Sequence, residues 1–201
     1  MIYTTETLRE ELADYQNPND KIHRMIQEQK LFPVVRGIYT TDPHINGIFL
    51  AGSIYGPSYL SFDYALAHYH LIEKTPSSYQ SATYGKRKKK SYDTPFGKFT
   101  YRDVPAEAYP LFVREECRKG NTFFIASPEK ALCDKVYSMH PARDSAELEA
   151  LLFEIIGIDR RRFRLLHLDD ILSMGEHYHS KNVNLLMGYT LGVMLGQHSS
   201  I

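Results

Sequence analysis

The chain has 201 residues, of which 43% are hydrophobic and 12% aromatic, enough for one sizeable domain or a small domain joined to a medium one. Its 24 basic and 24 acidic residues cancel, so whole-molecule charge argues neither for nor against a nucleic-acid partner. Two cysteines, Cys117 and Cys133, exclude a disulfide framework, and no apolar run approaches the roughly 20 residues of a membrane span.

Along the chain, Glu6, Glu10, Glu11 and Asp14 replace the basic region and apolar run of a signal peptide, so the expectation is a cytoplasmic protein without a membrane partner. Thr5 to Ala13 reads as a helix capped by Thr5, with Leu8 and Leu12 on one face. Asn17-Pro18-Asn19 is a turn. A second helix follows from about Pro18 or Asn19 to Gln29, with Ile22, Met25 and Ile26 on its apolar face and Lys21, Arg24, Gln27 and Glu28 on the other. Leu31 to Val35, the turn Arg36-Gly37 and Ile38 to Thr40 form a short hairpin. Two helices followed by such a hairpin resemble the latter part of a winged helix-turn-helix. Asp42-Pro43 and the loop to Gly56-Pro57 mark a boundary. Ser61 then caps a helix whose apolar face holds Phe62, Ala65, Leu66 and Tyr69. Tyr79 to Tyr84 is a strand, Thr94 to Gly97 a turn, and Lys98 to Val104 a strand with Phe99 and Tyr101 on one side. Between them runs Lys86-Arg87-Lys88-Lys89-Lys90. It accounts for the excess of 13 basic over 10 acidic residues in positions 41–140, against 5 and 6 in positions 1–40.

Thr122 to Ala126 is an apolar strand leading directly into Ser127-Pro128-Glu129-Lys130-Ala131-Leu132-Cys133-Asp134. Ser127 is a good N-cap, Pro128 suits the first helical position, and Glu129 favours the positive end of the helix dipole. Leu132, Cys133, Val136 and His140 share one face at helical spacing, and Cys133 reads as a small buried hydrophobe. From Ser145 onward the chain reads helical. One stripe is Leu148, Leu151, Leu152 and Ile155, the next is Leu165, Leu168, Ile171 and Leu172, and the last helix runs from Val183 to Leu195.

The string Ser127 to Asp134 resembles the S-P-E-K-A-L-x-D signature of AbiEi-type antitoxins, from bacterial type IV toxin–antitoxin or abortive infection systems. Arg36-Gly37-Ile38-Tyr39 is similar to that family's R-G-x-Y wing motif, and Tyr59-Leu60-Ser61 with Ala65-Leu66 and Leu71-Ile72 to its Y-x-S…A-L…G-L-I helix. Thr94 to Phe99 is similar to T-P-F-G-x-F, and Ser180 to Val183 to S-K-x-V. The motifs occur in the family's order. His70 stands where the family commonly has glycine, and the first helix of a complete winged helix-turn-helix has no counterpart. The resemblance implies an α+β fold: a small truncated winged helix-turn-helix over 1–41, then a mixed α/β antitoxin domain with a helical C-terminal tail over 42–201. It also implies a non-enzymatic antitoxin that counters a nucleotidyltransferase-like toxin, direct contact not being required, and that autorepresses its operon on operator DNA.

Candidate contacts follow. Lys21, His23, Arg24 and Gln27 on the second helix, with Arg36 at the wing, are placed to meet base edges or phosphates, or else form a solvated face. Lys86, Arg87, Lys88, Lys89 and Lys90, flanked by Tyr84 and Tyr92, suit nucleic acid or an acidic partner if they sit at a hairpin tip, and otherwise form a solvated loop. Glu129, Lys130 and Asp134 are either a capped helix with an i, i+4 ion pair or a partner surface. His177 and His179 lie at i and i+2, which on a helix face apart, and no cysteine or acidic cluster completes a metal site. No phosphate-binding glycine loop, nucleophile elbow or zincin motif is present, so neither a cofactor nor a catalytic residue is expected.

Overall fold

The computed structural model describes residues 1–118 and 120–197, and the fold is mixed α+β. The first forty residues build strand β1 (Ile2–Thr4), helices α1 (Thr5–Glu11) and α2 (Pro18–Gln27), and strands β2 (Phe32–Val35) and β3 (Ile38–Thr40). The strands form an antiparallel sheet in the order β1-β3-β2. The cap of α1 is Thr4, not Thr5: its hydroxyl accepts from the Thr7 backbone, and the Thr7 hydroxyl accepts from the Thr4 backbone, a reciprocal capping box. Asn17 caps α2, with Pro18 at its first position. Gly37 turns the β2–β3 hairpin at φ +86°, a conformation that costs glycine nothing. Leu8, Ile22 and Leu31 form a small core of their own, covered by Tyr3, Leu12, Met25, Ile26 and Tyr39.

The rest packs around a larger core, which Val34 of β2 also joins. The segment after Asp42 is more than a loop. It contains a 3-10 turn (Gly47–Phe49) and helix α3 (Ala51–Ile54), and buries Ile48, Leu50, Ala51 and Ile54 in that core. Strand β4 (Tyr59–Leu60) and helix α4 (Phe62–His68) follow, then β5 (Ser78–Thr83), β6 (Lys90–Thr94), β7 (Gly97–Asp103), β8 (Val113–Arg118) and β9 (Asn121–Ala126). These form one mixed sheet in the order β6-β7-β5-β4-β9-β8. β4–β9 and β5–β7 are parallel, and the other neighbours are antiparallel. Helix α5 (Pro128–Tyr137) leaves the end of β9 and packs against α4, α8 (Leu168–Gly175) and α9 (Lys181–Met194). Between α5 and α8 lie α6 (Ser145–Ala150), a π-helical stretch over Leu151–Ile156, and α7 (Arg160–Phe163).

Three expected apolar positions are corrected. Along the π-helical stretch Ile156 is buried and Ile155 is 68% exposed, because its wider turn shifts the phase of the stripe. Leu165 is 81% exposed, since it follows α7 and precedes α8 instead of belonging to either. His140 lies beyond the end of α5 and is exposed. Phe99, Tyr101, Leu132, Cys133 and Val136 are buried as their spacing requires. Cys117 and Cys133 are free thiols. Among the described residues no helix is long and apolar enough to cross a membrane.

Candidate functional surfaces and an interior polar cluster

Ser127 accepts from the Lys130 backbone N–H at 3.1 Å, and Pro128 occupies the first helical position, so the local reading of this helix start holds. The side chains that follow do not lie where a partner surface needs them. Glu129, Lys130 and Asp134 are 1%, 0% and 0% exposed, which withdraws them as a docking surface. α5 is enclosed by the sheet and by α4, α8 and α9, so even its polar positions face inward.

The Lys130–Asp134 pair is real, with Nζ 3.2 Å from Oδ1, but it is interior. The ammonium also donates to the Ala108 carbonyl at 2.6 Å and to Tyr178 Oη at 2.8 Å, so each of its three hydrogens has an acceptor. Asp134 in turn accepts from Tyr178 at 2.5 Å, Ser61 at 2.7 Å and Tyr59 at 3.0 Å. A buried carboxylate and ammonium are tolerable only when desolvation is offset this completely. Burial, with Asp134 next to them, pushes the Tyr59 and Tyr178 hydroxyls well above the ordinary value for tyrosine. Burial likewise raises the Cys133 thiol. Ser61 precedes α4 as expected, yet its hydroxyl serves Asp134 and not the helix, whose Asp63 N–H is taken by Gln80 Oε1 at 3.1 Å.

α5 is held at its far end by Asn182. Its amide donates to the carbonyls of Val136, Met139 and His140 and its oxygen accepts from the Ala142 N–H at 2.7 Å. Glu129 Oε1 accepts from the His167 backbone at 3.0 Å, while Oε2 is buried without a partner among the described residues, beside a cavity lined by Tyr69, Arg114, Arg162 and Leu165.

On α2, His23, Arg24 and Gln27 are exposed and Lys21 is half-buried, its ammonium 4.9 Å from the centre of the Tyr15 ring. Arg36, in the β2–β3 turn, is exposed. The basic run is not at a hairpin tip. β7 lies between β5 and β6, so residues 84–89 carry the chain past the end of β7 to the sheet edge. The run is also divided. Lys86 turns back to donate to the Gly56 carbonyl at 3.1 Å, over the Tyr55 ring, and Lys90 opens β6. Arg87, Lys88 and Lys89 are exposed. Of the two flanking tyrosines, Tyr84 packs on Tyr109, with centroids 4.4 Å apart, and Tyr92 joins Tyr55 and Tyr101.

His177 and His179 do not face apart, because the helical turn ends there and His179 adopts φ +48°. Both lie near Glu107 Oε2, at 3.9 and 3.1 Å, at an exposed position. Among the described residues no group of three or more His, Cys, Asp or Glu is placed to hold a metal ion. Tyr178, Asn182 and Arg102 were not singled out by sequence as site residues, and nothing local marks them: their partners lie tens of residues away. No protein-family model matches the chain, and no curated protein matches it.

Proposed function

We propose that this chain is a regulatory protein of the AbiEi antitoxin type. It counters a co-encoded nucleotidyltransferase-like toxin and represses its own operon through its first forty residues. The observation that carries the reading is the convergence of strings that resemble the family separately. Tyr59 and Ser61 of Y-x-S bond Asp134 of S-P-E-K-A-L-x-D, and the helix that opens on S-K-x-V packs on the same helix, with Asn182 at the variable position of that string bonding the carbonyls at its end. These strings lie far apart in the chain and are brought together at one helix by the packing of α4 and α9 on α5. The reading takes these motif residues as builders of the domain, and any toxin-directed or nucleic-acid surface as lying outside them. The winged-helix reading draws support from the order strand, helix, helix, hairpin and from exposed His23, Arg24, Gln27 and Arg36.

The test is co-expression. The reading frame beside the gene is induced with and without this protein, and growth is followed. Relief of toxicity is the expected result. A harmless neighbour, or toxicity that persists, overturns the antitoxin reading and leaves a stand-alone regulator. For that alternative, Lys21→Ala with Arg24→Ala should weaken binding to the protein's own promoter, and unchanged binding at moderate salt would sink it.

A further inference from the structure

The divided basic run does not act alone. Arg102, on β7, lies over the Phe62 ring, 4.9 Å from its centre, and donates to Ser138 Oγ at 3.2 Å. Ser138 in turn donates to the Lys135 carbonyl at 2.8 Å at the end of α5. Arg102, Arg87, Lys88, Lys89, Asp103 and Ser138 line one concavity of about 370 Å³. Four cations thus face one carboxylate. Asp103 is engaged elsewhere: Oδ1 accepts from the Thr83 hydroxyl and Oδ2 from the Arg87 backbone N–H, both at 2.6 Å. It therefore shapes the loop, holding Arg87 at φ +56°. Among the described residues none of the four cations is ion-paired.

Like charges gathered in a hollow raise the local potential and repel one another until an anion arrives. The arginine is the ordered member. Its guanidinium is held over the Phe62 ring and on Ser138 Oγ, and most of its five N–H donors are left for a ligand among the described residues. The lysines are mobile charges on long stems, suited to close over an oxyanion. The hollow is larger than a bare phosphate and has room for an attached sugar.

We propose that this cleft is a phosphate-binding site made by Arg102, Arg87, Lys88 and Lys89, and that it takes a phosphoryl group of a nucleotide or polynucleotide. The site stands on geometry and charge and does not rest on the antitoxin reading. It also separates residues that the sequence treats alike: Lys88 and Lys89 belong to it, and Lys86 does not.

The full chain is titrated with inorganic phosphate, adenosine monophosphate and a labelled twelve-nucleotide single strand, with an acidic polypeptide and equal-ionic-strength chloride as controls. Binding is read by calorimetry and fluorescence anisotropy. At least one phosphate-bearing probe should bind above chloride. Lys88→Gln with Lys89→Gln, both exposed and with side chains that bond none of the described residues, should weaken it tenfold or more, and Lys86→Gln should leave it within about twofold. If the strand is the ligand, loss of two contacts should reduce the slope of log affinity against log salt by about 1.4. Tight binding of the strand alone assigns a polynucleotide backbone, and comparable binding of the mononucleotide assigns a free nucleotide. Arg102→Lys, which keeps the charge and loses the fork, should weaken the bound probe severalfold. Four results overturn the proposal: no probe binding above chloride, equal binding by the double variant, an equal loss in Lys86→Gln, or an acidic polypeptide bound as tightly as the strand.

Discussion

Replacing Asp134 with asparagine keeps shape and removes charge at the centre of the interior cluster. In the folded protein the carboxylate receives the Lys130 ammonium and the hydroxyls of Tyr59, Ser61 and Tyr178. The variant leaves a fully buried ammonium with neutral acceptors only, and turns one face of the residue from acceptor to donor. Breaking a buried pair from one side costs about 3–5 kcal/mol. Domains have only about 5–15 kcal/mol in total, so much of the stability is at stake. With a urea dependence of about 2–3 kcal/mol per molar, the unfolding midpoint should fall by about 1–2.5 M. An exposed i, i+4 pair would cost a few tenths of a kcal/mol and shift the midpoint barely measurably. Lys130→Met combined with Asp134→Leu should recover part of the loss, because an apolar pair needs no charge compensation, though three hydroxyls then lack their acceptor. The assay is urea unfolding followed by circular dichroism at neutral pH. A shift under about 0.5 M for Asp134→Asn, or a double variant less stable than either single one, would refute the reasoning.

Two further outcomes follow from the interior. Tyr59 and Tyr178 are raised above the ordinary 10.0 and Cys133 above 9.0, so the unfolded chain loses these protons first as pH rises. The contribution to stability is whole below pH 9 and falls above it, by up to about 1.4 kcal/mol per pH unit for each group. The urea midpoint should therefore drop between pH 9 and 11, less steeply in Tyr178→Phe and Cys133→Ala, and a flat profile to pH 11 would contradict this. On the π-helical stretch, Ile156→Ala should cost about 2–4 kcal/mol and Ile155→Ala less than about 0.5 kcal/mol, measured by the same unfolding curves. A larger cost at Ile155 than at Ile156 would mean that the α-helical phase is the correct one.

Elements whose signals are local were legible in the residues themselves. Asn17-Pro18 before Ile22, Met25 and Ile26 specifies α2, because cap, proline and apolar spacing act within two turns. Thr94-Pro95-Phe96-Gly97 specifies the β6–β7 turn, where Gly97 needs φ +116°. Ser127-Pro128 specifies the start of α5. β1 and β8 were not legible. β1 is three residues long and is defined by pairing with β3, and β8 reads Val-Arg-Glu-Glu-Cys-Arg, a polar edge strand whose one neighbour is β9. The basic run looked like a hairpin tip because adjacent strands usually pair, and β7 intervenes only in the assembled sheet.

By itself the amino-acid sequence determined an α+β chain with two helices and a hairpin first, strands in the middle and helices last, together with the motif strings on which the functional reading rests. Only the tertiary structure decided which polar residues are interior. Lys130 and Asp134 have the spacing of an ordinary surface pair, and that spacing is all the sequence offers. Their burial depends on Tyr59, Ser61 and Tyr178, brought in from 44 to 75 residues away. Hydrogen-bond partners that offset the desolvation of a charge are non-local, so no local pattern can announce them. The same holds for the basic cleft, which exists because the crossing loop passes Arg102 and Ser138 on its way to the sheet edge.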